Sequence, residues 1–224
     1  MNWFKHYFCR KMLPMNRLLL FTLFLIASCK TAPQADSAIV SEANIVTAAN
    51  GTTYKADISQ STIEWIGTKP TGHHHGTLRL TGGELIVGDN AVKGGSFTID
   101  INSLTPDDQK PSKNEMLQKH LLSDDFFDAL NFPSARFDIT SITPSRQKHG
   151  STFTVSGNLT LKDIVKSISF PASISIDRNT LTAHAIFNFD RTLWNMNYGN
   201  DKSLGNWFIR PDVNIKLHLI AERS

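Results

Sequence analysis

The chain has 224 residues, of which 40% are hydrophobic and 19% are charged, and these values are ordinary for one globular domain with some additional sequence. Its net charge of +3 comes from residues 1–28, which carry four basic side chains and no acidic one and leave 19 basic and 20 acidic side chains elsewhere. That balance excludes a basic field for nucleic acid and a polybasic patch for a membrane surface.

The amino-terminal segment has the pattern of a targeting sequence. Arg17 precedes an apolar run at residues 18–27, which is too short to span a membrane and fits the core of a signal peptide. The run ends in Ile-Ala-Ser-Cys at 26–29, which resembles the bacterial lipobox. We therefore predict a lipoprotein signal peptide at residues 1–28 and a lipid anchor on Cys29, with Met12 and Met15 as alternative starts to Met1.

Cysteine usage supports this interpretation. The chain has two cysteines, Cys9 and Cys29, of which the first would be removed and the second acylated. The folded domain would then contain no thiol, which excludes disulfides, cysteine metal sites and cysteine nucleophiles. We expect a lipoprotein of the cell envelope that faces the periplasm, and Lys30 after the anchor favours the outer membrane.

The strand pattern begins after a polar segment. Residues 29–52 are rich in small and polar side chains and predict a flexible tether, followed by a single domain at residues 53–224. A first strand at 53–67 has an irregularity at 59–61, a second runs over 75–87 with a bend at Gly82-Gly83, and a third covers 91–103. Residues 88–90 form the turn between the second and third strands.

A helix interrupts this pattern once. Met116, Leu117, Leu121 and Leu122 recur at helical spacing within residues 111–137. Further alternating segments follow at 135–139, 153–161, 168–176, 181–189 and 213–219. The sequence therefore predicts an all-β fold, an eight-stranded antiparallel barrel with a helical insertion covering one end. Such a barrel is either packed or holds one small ligand, and Ala172, Ala183 and Ala185 predict a tapered interior with room in one part.

Four runs of residues resemble those of one known family. They are HLLSDDFFD at 120–128, FPSARF at 132–137, VSGNLTLKD at 155–163 and FDRT at 189–192. Together they resemble the YceI-like lipid/polyisoprenoid-binding domains, and the match covers nearly all of residues 53–221. Asp163 stands where the family usually has glycine, and Ser156 where threonine is usual.

The resemblance implies a lipocalin-like barrel whose apolar tunnel binds an amphiphile such as a polyisoprenoid or an isoprenoid quinone. No enzyme activity is expected, because the sequence contains no Gly-x-Ser-x-Gly, P-loop or His-Glu-x-x-His motif, and no cofactor is expected other than such a bound lipid. The expected partners are the lipid ligand and a membrane reached through the anchor, without nucleic acid, and a homodimer is left open. We predict ligand contacts from inward-facing and rim residues, namely Phe97, Ile99, Phe137, Ile139, Phe153, Val155, Phe170, Phe187, Phe189, His74, His120, Arg191 and Trp194.

Several polar groups allow competing interpretations. The run His73-His74-His75 could suggest a metal site, but neighbouring side chains of a strand point to opposite faces, so no metal site is predicted. His74 is expected to form a hydrogen bond at the barrel rim, to contact a ligand headgroup or to lie solvated in a loop. Trp194, Tyr198 and Trp207 either line a mouth or close the barrel end.

The acidic run at 124–128 spells the D-D-x-x-D of isoprenyl synthases, whose long facing helices this chain lacks. We instead predict that Ser123 caps a helix amino terminus, with Phe126 and Phe127 packed beneath the helix. Arg191 is expected to pair with Asp190 or an acidic residue of 123–128, or to face a ligand oxygen. The alternative to a lipid carrier is a structural or interaction module of the envelope with a packed barrel.

Overall fold

The computed structural model describes residues 33–145 and 152–224. The predicted signal peptide and the Cys29 anchor lie outside these residues, as does most of the predicted polar loop at 145–150. Within the described ranges, no helix has the length and apolar character required to cross a membrane.

The described chain forms eleven strands and one α-helix. The strands are β1 (Asp36–Ser37), β2 (Ile39–Glu42), β3 (Thr52–Ala56), β4 (Thr62–Lys69), β5 (Gly72–Gly88), β6 (Ala91–Pro106), β7 (Ser134–Pro144), β8 (Phe153–Leu161), β9 (Ile164–Asp177), β10 (Thr180–Asp190) and β11 (Asp212–Arg223). The helix α1 (Pro111–Leu122) lies between β6 and β7, and 3-10 turns at Arg191–Trp194 and Lys202–Trp207 lie between β10 and β11.

The strands close into an antiparallel barrel. β3 and β4 together act as one broken strand, because both pair with β5 on one side and with β11 on the other. From β5 to β11 each strand pairs with the next in the chain, and the β11–β4 ladder completes the circle. The predicted eight-stranded antiparallel barrel with one helical insertion is confirmed.

Local chemistry explains the breaks in the ladders. Asp57 accepts hydrogen bonds from the backbone N–H groups of Ser59 and Gln60 at 2.9 and 3.1 Å, and this turn separates β3 from β4 where the sequence predicts an irregularity. The register of the β5–β6 ladder shifts between Leu80 and Gly82, which confirms the predicted bend. Asp89 and Asn90 both have left-handed φ values, 52° and 56°, as a two-residue hairpin turn requires.

The two ends of the barrel differ. At one end, here called the helix end, lie α1, the β4–β5 turn, the β8–β9 turn and the segment 191–211. The opposite end, here called the hairpin end, carries the β5–β6 and β9–β10 turns. The helix end therefore contains nearly all irregular structure described after β3, which makes it the place where specific contacts can be built.

The helix packs on the barrel through one side. Leu117, Leu121 and Leu122 contact the cluster that includes Ile63 and Leu78. The Gln118 side chain donates a hydrogen bond of 2.6 Å to the Leu104 carbonyl. The helix therefore covers the helix end, held by a few half-buried leucines.

The predicted capping by Ser123 is wrong. Ser123 follows the carboxyl end of α1, and its hydroxyl donates a hydrogen bond of 2.8 Å to the carbonyl of His120. The helix begins instead at Pro111, whose fixed φ suits the first turn. The acidic run therefore lies beyond the negative end of the helix dipole, while Phe126 is buried as expected.

The predicted tether is also partly wrong. Residues 36–42 are strands β1 and β2, which pair with β10 and β9 respectively. The reason is that unpaired backbone at the edges of β9 and β10 is satisfied by this segment, a long-range effect that its polar composition does not reveal.

Candidate ligand-binding site

The barrel encloses a cavity of about 780 Å³ that extends from the helix end toward the hairpin end. Aliphatic and aromatic side chains form most of its wall, and Ala172, Ala183 and Ala185 are among them. This volume lies within the range of about 300–1,000 Å³ typical of ligand pockets. The interior is therefore not fully packed, and the predicted room beside the small residues is present.

Eleven of the thirteen residues predicted as ligand contacts line this cavity. They are Phe97, Ile99, Phe137, Ile139, Val155, Phe170, Phe187, Phe189, His74, His120 and Arg191. The structure thus brings these residues together, and their contact with a ligand stays a prediction.

Phe153 and Trp194 do not line the cavity. Phe153 is the first residue of β8, at the hairpin end, where it lies opposite Pro144 and Ala172. Trp194 is fully buried, and its indole N–H donates a hydrogen bond of 3.1 Å to the carbonyl of Leu159. Trp194 closes the wall at the helix end. The two predictions failed because the alternation of a strand shows which residues point inward but not how deep in the barrel each one lies.

Two glycines keep aromatic rings against the wall. A Cβ atom on Gly83 would lie 2.2 Å from Phe97 Cδ1, and one on Gly157 would lie 2.4 Å from Phe137 Cζ. Each ring thus occupies the space that a side chain on the neighbouring strand would fill. The consequence is that both rings cover backbone and leave the centre of the barrel open.

Polar lining residues concentrate at the helix end. At the helix end the polar lining residues include Lys69, His74, His120, Arg191, Asn206 and Arg210. Thr62, His184 and His218 also border the cavity, but they alternate with the inward-facing residues of β4, β10 and β11 and so lie on the outer face of the wall. The hairpin end is lined by aliphatic residues such as Leu85, Val92 and Leu181. The cavity therefore combines one polar end with a long apolar interior.

His74 is held by a carboxylate. Its Nδ1 lies 2.9 Å from Asp108 Oδ2, and the backbone N–H of His75 donates to Asp108 Oδ1 at 3.4 Å. Burial by itself raises the pKa of Asp108, but the hydrogen bonds from His74 and His75 outweigh burial and lower it. Of the alternatives stated for His74, the structure shows a hydrogen bond at the barrel rim, and the His74 ring also lines the cavity.

Arg191 is satisfied by backbone and not by a carboxylate. The side chain is 3% exposed and donates hydrogen bonds to the carbonyls of Met196, Tyr198, Ile209 and Arg210, the last three at 2.9, 3.2 and 3.4 Å. Asp190 instead accepts from the backbone N–H and hydroxyl of Thr192. The expected pairing with Asp190 or with residues 123–128 is therefore wrong.

Burial lowers the pKa of Arg191, and the nearby Asp190 charge acts in the opposite direction. Its guanidinium lies 5.5 Å from the centre of the Phe126 ring, close enough for a cation–π contact. Arg191 therefore fixes the loop at the helix end and presents a cationic group to the cavity.

An aromatic cluster surrounds His120. Its ring meets Phe126 edge-on at 5.1 Å and Tyr198 edge-on at 4.6 Å, while Nε2 lies 3.1 Å from Asp125 Oδ2. Tyr198 and Trp207 both line the cavity, and Trp207 is 82% exposed. The structure thus places these two residues at a mouth.

The structure adds lining residues that the sequence analysis did not propose. Leu117 and Leu121 of α1 line the cavity, as do Lys69 and Arg210. The helical spacing of the two leucines carried a signal that they face the barrel, whereas nothing in the local sequence marks the two cations.

The carboxylates of Asp125 and Asp128 in the acidic run form local contacts, and the Asp124 carbonyl accepts a hydrogen bond of 3.4 Å from Lys162 Nζ. Asp125 contacts His120, and Asp128, at a left-handed φ of 49°, accepts from the Asn131 side chain at 3.0 and 3.1 Å. Across residues 33–145 and 152–224, no three His, Cys, Asp or Glu side chains form a group suited to a metal ion.

The profile of the YceI-like domain matches residues 54–221, three quarters of the chain. The chain belongs to the YceI-like family. Among curated proteins, none matches it significantly.

Solved structures share this YceI-like fold. BcnA of Burkholderia cenocepacia aligns with a TM-score of 0.57 and 21% identity, over 74% of this chain and 98% of BcnA. A polyisoprenoid binding domain from Saccharophagus degradans, implicated in plant cell wall breakdown, aligns with a TM-score of 0.55 and 14% identity, over 77% and 99% of the two chains. At these identities the likeness establishes the barrel fold.

Proposed function

We propose that this YceI-like protein binds one long-chain amphiphile, a polyisoprenoid, an isoprenoid quinone or a similar lipid, and that it stores or transports this lipid without chemical conversion. The observation that carries the proposal is the distribution of residues around the cavity, which has an apolar interior and polar side chains at the helix end. The tail lies along the apolar interior and the headgroup lies near His74, His120 and Arg191.

The energetics fit a lipid tail. Each buried methylene contributes about 0.8 kcal/mol, so ten methylenes contribute about 8 kcal/mol toward an association whose entropic cost is about 4–15 kcal/mol. Ten methylenes thus offset the lower part of this cost, and a longer isoprenoid tail contributes more in proportion to the methylenes it buries, without a metal or a covalent bond. The few polar groups at the mouth orient the headgroup. The polyisoprenoid-binding description of the Saccharophagus degradans domain agrees with this ligand class.

The proposed location is the cell envelope, with the barrel facing the periplasm and anchored through acylated Cys29 at the outer membrane. Cells fed a radiolabelled fatty acid should incorporate label into the protein but not into a Cys29→Ser variant. Equal labelling of the two proteins contradicts the anchor.

The binding proposal is tested on natively purified protein. Solvent extraction followed by mass spectrometry should yield about one isoprenoid or similar lipid per chain, and stripped protein should take up a fluorescent polyprenol. If no lipid can be extracted and the stripped protein does not bind the fluorescent polyprenol, the protein is an interaction module and not a carrier. Turnover of the bound lipid that is lost in folded variants of His74, His120 or Arg191 would instead indicate an enzyme.

A further inference from the structure

The barrel wall contains a seam between β9 and β10. The two strands pair directly from the turn at the hairpin end up to Ala172 opposite Ala185. Beyond that point both acquire the same new neighbour, the segment of residues 35–44, here called the strap. The strap pairs with β10 at Phe187 and Asn188 and with β9 from 166 to 169, so it lies between them.

Polar side chains hold the strap from the outer face. Asn158 accepts a hydrogen bond of 2.9 Å from the Asn44 backbone N–H and donates one of 2.7 Å to the Asn44 carbonyl. The Asn44 side chain donates to the Ser167 hydroxyl at 2.8 Å, and Asn188 donates to the Ala35 carbonyl at 3.2 Å. Asn158, Ser167 and Asn188 are all buried, and each forms a hydrogen bond with the strap.

The cavity lies directly behind the seam. Ile168 and Phe170 of β9 and Phe187 of β10 line the cavity. The Phe170 and Phe187 rings stack across the seam, with centroids 4.2 Å apart. Ala38 and Val40 of the strap pack against the same cluster. Two aromatic rings and the strap thus separate the cavity from the outside.

We propose that the seam is a side portal through which the lipid tail enters and leaves the cavity, and that the strap is its removable cover; this inference rests on the proposed lipid binding. Lifting the strap exposes strand edges and the polar groups of Asn158, Ser167 and Asn188, all of which water can hydrate. Local opening is therefore favoured here over the remainder of the wall, where strands pair directly.

The strap lies outside the part of the chain that matches the family profile, which begins at residue 54. The matched domain thus contains both edges of the seam, and the cover comes from the preceding segment. Asp36 is seven residues from Cys29, a reach of at most about 25 Å in an extended chain. An anchor at Cys29 therefore holds the portal near the membrane that supplies the lipid.

The test locks the strap with a disulfide. Ile39 and Ser169 are opposite each other in the β2–β9 ladder, and Ile39 is 73% exposed, so their replacement by cysteines suits an outer-face disulfide. The background is the full chain with Cys9→Ser and Cys29→Ser. The matched control is the exposed pair Glu64→Cys and Lys216→Cys, which joins β4 to β11 away from the seam.

Release of a bound fluorescent polyprenol to excess phosphatidylcholine vesicles is then timed. The oxidised Ile39→Cys/Ser169→Cys protein should release the probe at least about tenfold more slowly than its reduced form, whereas oxidation of the control pair should change nothing. In a second arm, Asn158→Ala should accelerate release about tenfold, because it removes two hydrogen bonds to the strap. Ser156→Ala, which removes only a contact to Ser169, should not.

Equal release from the locked and reduced proteins, with Asn158→Ala unchanged, overturns the portal and leaves lipid binding intact. Failure of the unmodified chain to bind the probe at all overturns the proposed function and the portal with it.

Discussion

Arg191 is the residue on which the helix end most depends. Its guanidinium is buried and connects four carbonyls of the segment 196–210, so the side chain acts as a bracket for the loop that forms the mouth. Sequence reasoning identified the residue but expected a carboxylate partner, because charge is visible in a sequence and a converging set of carbonyls is not.

We expect Arg191→Met to lower the free energy of unfolding by about 3–5 kcal/mol, since it leaves buried carbonyls without donors. Urea unfolding measures the change. Arg136→Met is the control, because Arg136 forms an exposed ion pair with Asp138 and should contribute about 1 kcal/mol or less. Similar losses for the two variants would contradict the bracket role.

The turn between β8 and β9 contains a residue that departs from the family pattern. Lys162 and Asp163 have φ values of 48° and 57°, and glycine adopts this left-handed region without strain. Asp163→Gly should therefore raise the free energy of unfolding by about 0.5–1 kcal/mol. Asp124→Gly, at a position without a positive φ, should not stabilise the protein in the same urea assay.

Asp57 gives a pH-dependent contribution to stability. Hydrogen bonds from the side chains of Ser59 and Gln60 and from their backbone N–H groups lower its pKa from 3.8 to about 2. Because the folded-state pKa is the lower one, this contribution is complete above about pH 4 and disappears as the pH falls through 2. The urea midpoint of the wild type should fall more steeply from pH 4 to pH 2 than that of Asp57→Asn. Parallel profiles would show that the turn contributes nothing in this window.

At the scale of elements, the eight barrel strands could be predicted because apolar residues that face the interior alternate with residues that face outward. This period of two residues is visible within each short stretch of sequence. The strap could not be predicted in this way. Only Ala38 and Val40 pack inward from it, and its partners lie more than a hundred residues away in the chain. The predicted amino-terminal cap at Ser123 is wrong for a related reason. Serine occurs at both ends of helices, and only the tertiary structure shows that Ser123 lies at the carboxyl end of α1.

The helix covers the cavity through its leucines. Leu117 and Leu121 line the cavity from α1, so replacing each by alanine should lower stability by about 1–2 kcal/mol and accelerate release of a bound polyprenol. Met116→Ala is the control on the same helix, because Met116 is 63% exposed. Release rates that are the same for all three variants would show that α1 does not retain the ligand.

At the scale of the whole molecule, the barrel and most of the cavity wall could be predicted from alternation and from the family motifs. The depth of each residue could not, as Phe153 and Trp194 show, because depth depends on strand tilt and on where the loops fold back. The mouth likewise depends on residues from the β4–β5 turn, α1 and the segment 191–211, which only the closed barrel brings together.

The central claim is that the cavity holds the lipid tail, and filling it tests this claim most directly. Ala185 lines the cavity, and its neighbour Ile186 is 51% exposed on the outer face of the same strand. The dissociation constant of a fluorescent polyprenol should rise at least about tenfold in Ala185→Phe and stay unchanged in Ile186→Phe. Equal affinity of the two folded variants would contradict binding within the barrel.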